Sequence, residues 1–117
     1  MRYYDMLLDE ARGPFQVVVE KTYEDLHPRD CFDDTCFDIA DMCRKIDSGA
    51  LDWFMLRVRV LYEGVELAED YVGGMLYEDA REVLKDGTAE DMIACALDEA
   101  HKQAQVMKQK FDQLVVA

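Results

Sequence analysis

From Trp53 to Tyr62 the chain alternates with a period of two, and this stretch restricts its fold more than any other. Phe54, Leu56, Val58, Val60 and Tyr62 fall on one side, and Trp53, Met55, Arg57, Arg59 and Leu61 on the other. Successive strand side chains point to opposite faces, so a uniformly apolar face backs onto a mixed one. Such a strand belongs in a sheet with one face on a core and the other partly wet. Glu63-Gly64 is a two-residue turn signal, and Val65 to Val72 reads as the returning strand, ending at Gly73-Gly74. Phe15 to Tyr23, opened by Gly13-Pro14, is a third strand, rich in β-branched and aromatic residues. Tyr3 to Ala11 reads equally as a short helix or a strand, with Gly13 marking its end. Arg57 and Arg59, on the less apolar strand face, are expected to pair internally with acids of the 24–38 connection, the hairpin or the short helix after it.

Helical patterns flank these strands. Asp38 is placed to cap a helix over Ile39–Asp47, whose Ile39, Met42, Cys43 and Ile46 share one face; Ser48-Gly49 stops it. Tyr77 to Leu84 reads as a short helix closed by Asp86-Gly87, and Thr88-x-x-Asp91 resembles a capping box opening the longest element. There Ile93, Leu97, Ala100, Ala104, Met107, Phe111 and Leu114 recur in a seven-residue repeat. About 25 helical residues span on the order of 37 Å, against roughly 27 Å for an eight-residue strand. Met107, Phe111 and Leu114 are therefore expected to overhang the sheet, available to a dimer mate or a partner. The pattern predicts a two-layer α+β fold. Its sheet is a three-stranded antiparallel meander, four-stranded if the N-terminal segment joins it, packed by helices that include the long C-terminal one. A mainly helical protein with one β-hairpin is the alternative.

The chain has 117 residues, half apolar and a third charged, which suits a single acidic domain over 1–117 with one modest core. No apolar run approaches a membrane span, and Met1-Arg2-Tyr3-Tyr4-Asp5 does not read as a signal peptide, so a cytoplasmic location is expected. Cys31, Cys36, Cys43 and Cys95 then read as reduced thiols, Cys43 and Cys95 as small buried hydrophobes and the other two in a loop. Their spacing lacks the paired C-x2-C of zinc fingers, although His27 and His101 leave a metal-binding regulator open as a lesser reading. No cofactor and no metal is expected. The acids between Asp30 and Asp41 miss the calcium-loop pattern, Gly73-Gly74 lacks the Lys-Ser/Thr of a phosphate loop, and no nucleophile signature surrounds any cysteine. Enzymatic activity is not expected.

Charge carries the remaining information. The net charge is −13, and residues 1–91 hold 23 of the 26 acids against 10 of the 13 bases. Such a surface repels nucleic acid and membrane headgroups and attracts basic surfaces over a Debye length of roughly 10 Å. Carboxylates on a rigid scaffold can occupy the Lys/Arg sites that bind a nucleic-acid backbone. The candidates are Asp30, Asp33 and Asp34 in the 24–38 connection, Glu63, Glu66, Glu69 and Asp70 on the hairpin, and Glu78, Asp79 and Glu82 after it. The bland alternative is a solubilising surface.

Along Asp38–Gly49, Asp52–Val60, Tyr71–Tyr77 and Asp86–Asp91 the chain resembles small accessory proteins of bacteriophages and mobile elements, over roughly residues 14–100. In that setting a small, acidic, non-enzymatic protein is similar to the anti-CRISPR inhibitors, several of which mimic DNA or block a surveillance complex by protein–protein contact. The resemblance implies inhibition in the host-cell cytoplasm of a basic, nucleic-acid-handling complex, a CRISPR effector above all. The competing reading is an assembly protein, a homodimer built on the C-terminal helix.

Overall fold

The computed structural model describes residues 4–116. Four strands, β1 (Tyr4–Arg12), β2 (Phe15–Tyr23), β3 (Asp52–Tyr62) and β4 (Val65–Tyr77), form one antiparallel sheet in sequence order. Two helices, α1 (Ile39–Asp47) and α2 (Thr88–Val116), and 3-10 turns at Pro28–Asp30 and Ala80–Leu84 complete the α+β fold. The ambiguous N-terminal segment is thus an edge strand over its described residues; Tyr3 lies outside them.

The Trp53–Tyr62 alternation sets the layers. Phe54, Leu56, Val58 and Val60 are buried with Val17 and Val19 of β2 against Ala89, Met92, Ile93, Ala96 and Ala100 of α2 and Val83 of the second 3-10 turn. Each large apolar side chain removed from water this way contributes roughly 1.5–3 kcal/mol before entropy is counted. The alanines of α2 let its backbone lie close to the sheet. Glu63 and Gly64 both take positive φ (48° and 79°), the geometry whose twist suits a two-residue hairpin. Asp38 caps α1 as expected, accepting the Asp41 N–H at 3.0 Å.

Four details differ from the sequence reading. First, β4 does not end at Gly73-Gly74 but runs on to Tyr77, because the glycines form a bulge: Phe54 pairs with Met75 and Leu56 with Val72. Gly74 donates its N–H to Glu24 Oε2 at 2.7 Å, and a Cβ on Gly73 would stand 2.5 Å from that same oxygen. The pair is a seat for a buried carboxylate. Second, the element after β4 is a 3-10 turn over Ala80–Leu84, with Tyr77 still in the strand. Third, Thr88 does not cap α2. Gly87 O accepts the Asp91 N–H, which puts Thr88 at the first helical position, its hydroxyl 3.2 Å from that of Tyr77 and its N–H bonded to Asp86 Oδ1. Fourth, Cys95 is exposed and Cys43 half-buried, since the inward face of α2 at that level is already made by Met92, Ile93 and Ala96.

The helix leaves the sheet as its length implies. The molecule measures 63 × 28 × 24 Å with a radius of gyration of 18.0 Å, above the roughly 13 Å of a compact chain this long.

Candidate functional site

Two surfaces lie outside the core. The first is made by the overhang of α2. Where Ala100 is fully buried, Phe111 is 60% exposed, Leu114 70% and Val115 84%. Between this overhang and the two hairpin turns lies an apolar cleft of about 560 Å³, walled by Pro14, Phe15, Tyr62, Val65 and Leu67 on one side and Ala104, Met107 and Phe111 on the other, with Lys108 and Asp112 at its rim. The heptad spacing and the turn geometry build it together: the stripe continues past the sheet, and the turns end where the stripe still has apolar residues to offer. Apolar, open and without convergent polar groups, the cleft suits another protein's side chains better than a polar substrate.

The second surface is the sheet face opposite α2. Strand pairing places Glu20, Arg57 and Arg59 side by side on it, with Glu69 and Glu66 next along on β4. The Glu20 carboxylate accepts from Arg57 Nη2 at 3.1 Å through both oxygens and from Arg59 Nε at 2.7 Å. Tyr4 of the edge strand stacks on the Arg57 guanidinium, 3.6 Å from ring centroid to Cζ. Burial pulls the Arg57 pKa down, but hydrogen bonds to Tyr71 and Glu20 outweigh it, so the guanidinium is held more firmly charged than usual. The arginines do pair internally, and their closest acid is Glu20, which the hydrophobic reading of its strand passed over. A lone Glu after Val17-Val18-Val19 was the available signal. At one end this face is covered by the 24–38 connection: Trp53 Nε1 donates to the Leu26 carbonyl at 2.9 Å, and Phe32 packs against Trp53 and Phe37.

The ten candidate acids are spread over this framework. Asp30 and Asp33 close turns of the 24–38 connection, accepting from the N–H groups of His27 and Thr35, and Asp34 is exposed beside them. The Thr35 bonds hold the Asp33 carboxyl below the usual range. Glu63 occupies the β3–β4 turn, while Glu66 and Glu69 stand 3.9 and 3.8 Å from Arg59 and Arg57. Asp70 pairs with Val58, so it points to the other side of the sheet. Asp79 caps the second 3-10 turn through the Arg81 N–H, flanked by exposed Glu78 and Glu82. Glu66 and Glu69 are brought together; the sheet separates Asp70 from them.

The cysteines and histidines divide likewise. Cys43 Sγ lies 3.7 Å from His27 Nε2, a pairing across 16 residues that spacing did not reveal. His27 Nδ1 accepts the Arg29 N–H at 3.1 Å, so the neutral ring carries its hydrogen on Nε2, facing the sulfur. In that tautomer the ring donates to Cys43 and has no lone pair free to take its proton. His101 packs edge-on against Phe15 on the α2 side. Among the described residues no group of three or more His, Cys, Asp or Glu is arranged to hold a metal ion, and no helix is long and apolar enough to cross a membrane. Comparison with protein-family models, curated proteins and solved structures finds no match to this chain.

Proposed function

We propose that this protein is a non-enzymatic binding protein that works by protein–protein contact. The observation that carries the reading is the apolar cleft under the α2 overhang, with Phe111 and Leu114 presented on a helix that the sheet no longer covers. Large exposed apolar patches of this kind mark interaction surfaces, and aromatic anchors near their centre supply most of the affinity.

A second reading, favoured by a separate observation, concerns the acids. Asp34, Glu63, Glu78 and Glu82 are exposed, and no ion pair among the described residues neutralises them. Through such carboxylates an accessory protein of the phage type would dock on a basic, nucleic-acid-handling complex in the host-cell cytoplasm and block it, in the manner of an anti-CRISPR inhibitor.

The test is capture from host lysate on the immobilised protein at about 0.1 M and 1 M salt, where the Debye length falls from roughly 10 to 3 Å. Apolar docking predicts capture that survives high salt and is lost with Phe111→Asp. Acidic docking predicts release at high salt and loss when Asp34 and Glu63, or Glu78 and Glu82, become lysine. Capture unchanged by all three variants refutes both.

A further inference from the structure

The cleft has one occupant for which both shape and charge argue: a second copy of this chain. We infer that the protein forms a symmetric homodimer in which the overhang of α2 from each copy lies in the other's cleft. The inference rests on the protein-contact reading and names its partner.

Charge complementarity selects this arrangement. Residues 1–100 carry 25 acids and ten bases, whereas 101–116 carry Lys102, Lys108 and Lys110 against Asp112 alone. Two copies repel each other through their bodies, whereas the end of α2, with three lysines against one acid, is attracted to the other's body. That segment also carries the unpartnered apolar stripe. Lys108 stands at the cleft rim, and across from it the β3–β4 turn that carries Tyr62 and Val65 of the opposite wall holds the exposed Glu63. With the partner's helix in the cleft, its Lys108, which borders the apolar stripe, lies towards Glu63, while its Phe111 fills the space between Tyr62 and Met107. Lysines beside an apolar heptad seam set the choice and orientation of helical partners in this way.

The area is sufficient. The exposed fractions of Met107, Phe111, Leu114, Val115, Tyr62 and Val65 amount to roughly 600 Å² of apolar surface per copy, about 1,200 Å² for two, which reaches the lower end of specific, stable interfaces. Twofold symmetry makes each interface residue act twice, so a single substitution counts double.

Sedimentation equilibrium of the full chain, from micromolar to submillimolar concentration, is expected to return twice the 13.5 kDa chain mass. Phe111→Asp should weaken association on the order of 100-fold or more, and Lys108→Glu should weaken it at least tenfold. Both leave the melting of the folded monomer unchanged, because these side chains lie outside the core. A chain that is monomeric throughout, or a dimer indifferent to Phe111→Asp, overturns the inference. A monomer whose Phe111→Asp variant no longer captures a lysate protein would overturn the dimer while leaving the protein-contact reading standing. Failure of both measurements removes the two together.

Discussion

Replacing Glu20 by alanine is the sharpest perturbation of the framework that holds both surfaces. The carboxylate is 8% exposed and accepts three N–H bonds from two guanidiniums. At roughly 1.5–3 kcal/mol for each bond to a charged group, their removal would cost well above 4 kcal/mol if nothing compensated. Two features reduce that. Glu69 and Glu66 stand within 4 Å of Arg57 and Arg59 and take up part of the charge, and Arg59, 26% exposed, can rehydrate. Arg57 is the difficulty: it is 14% exposed and its Nε already lacks a partner. Stranding one buried cation typically costs 3–5 kcal/mol, and the nearby acids place this case at the lower end, about 3 kcal/mol. With an unfolding entropy of roughly 2.1 cal/mol/K per residue, the 117 residues convert that into a Tm lower by about 12 °C. Calorimetry and urea denaturation at pH 7 give the two numbers independently. Asp98→Ala serves as control, since its pair with Lys102 is solvent-exposed and its loss should leave the stability close to that of the wild type. If Glu20→Ala behaved like the control, the network would be surface decoration and the argument wrong.

Gly73→Ala should push the Glu24 carboxylate off the Gly74 N–H and cost about 1–3 kcal/mol, measured by urea denaturation; a Glu24→Ala variant should make the second change nearly free, and additive losses would refute a shared seat. The Tyr77 hydroxyl donates to Asp86 at 2.5 Å, which holds the Asp86 carboxyl below its ordinary pKa and raises that of Tyr77. The lowered acid contributes stability above the ordinary carboxylate pKa and loses it as pH falls through the folded value; the raised phenol contributes below 10.0 and loses it as pH rises further. The stability gap between the wild type and Tyr77→Phe should accordingly be widest near neutrality and shrink in acid and in alkali, and a gap independent of pH would disprove the linkage.

What the sequence determined by itself is local and periodic. Alternation over 53–62 assigned a covered and a wet face, Asp38 announced α1, and the length of the heptad-patterned helix implied that its last turns, with Met107, Phe111 and Leu114, would outrun the sheet. These follow from spacing along one element, where geometry is set by backbone period alone. Tertiary structure decided whatever depends on two elements meeting. The bulge at Gly73-Gly74 exists because Glu24, about fifty residues earlier, needs a backbone N–H there; nothing near the glycines says so. Glu20 finds Arg57 and Arg59 only through the β2–β3 register, and His27 finds Cys43 only when the 24–38 connection folds back. Thr88 lost its capping role to Asp86 and Gly87 because Tyr77 of the neighbouring strand claims its hydroxyl. The cleft is the clearest case. One wall was legible as a stripe, but the other, from Phe15, Tyr62 and Val65, is assembled from two turns that are far apart in sequence and become neighbours only through strand pairing.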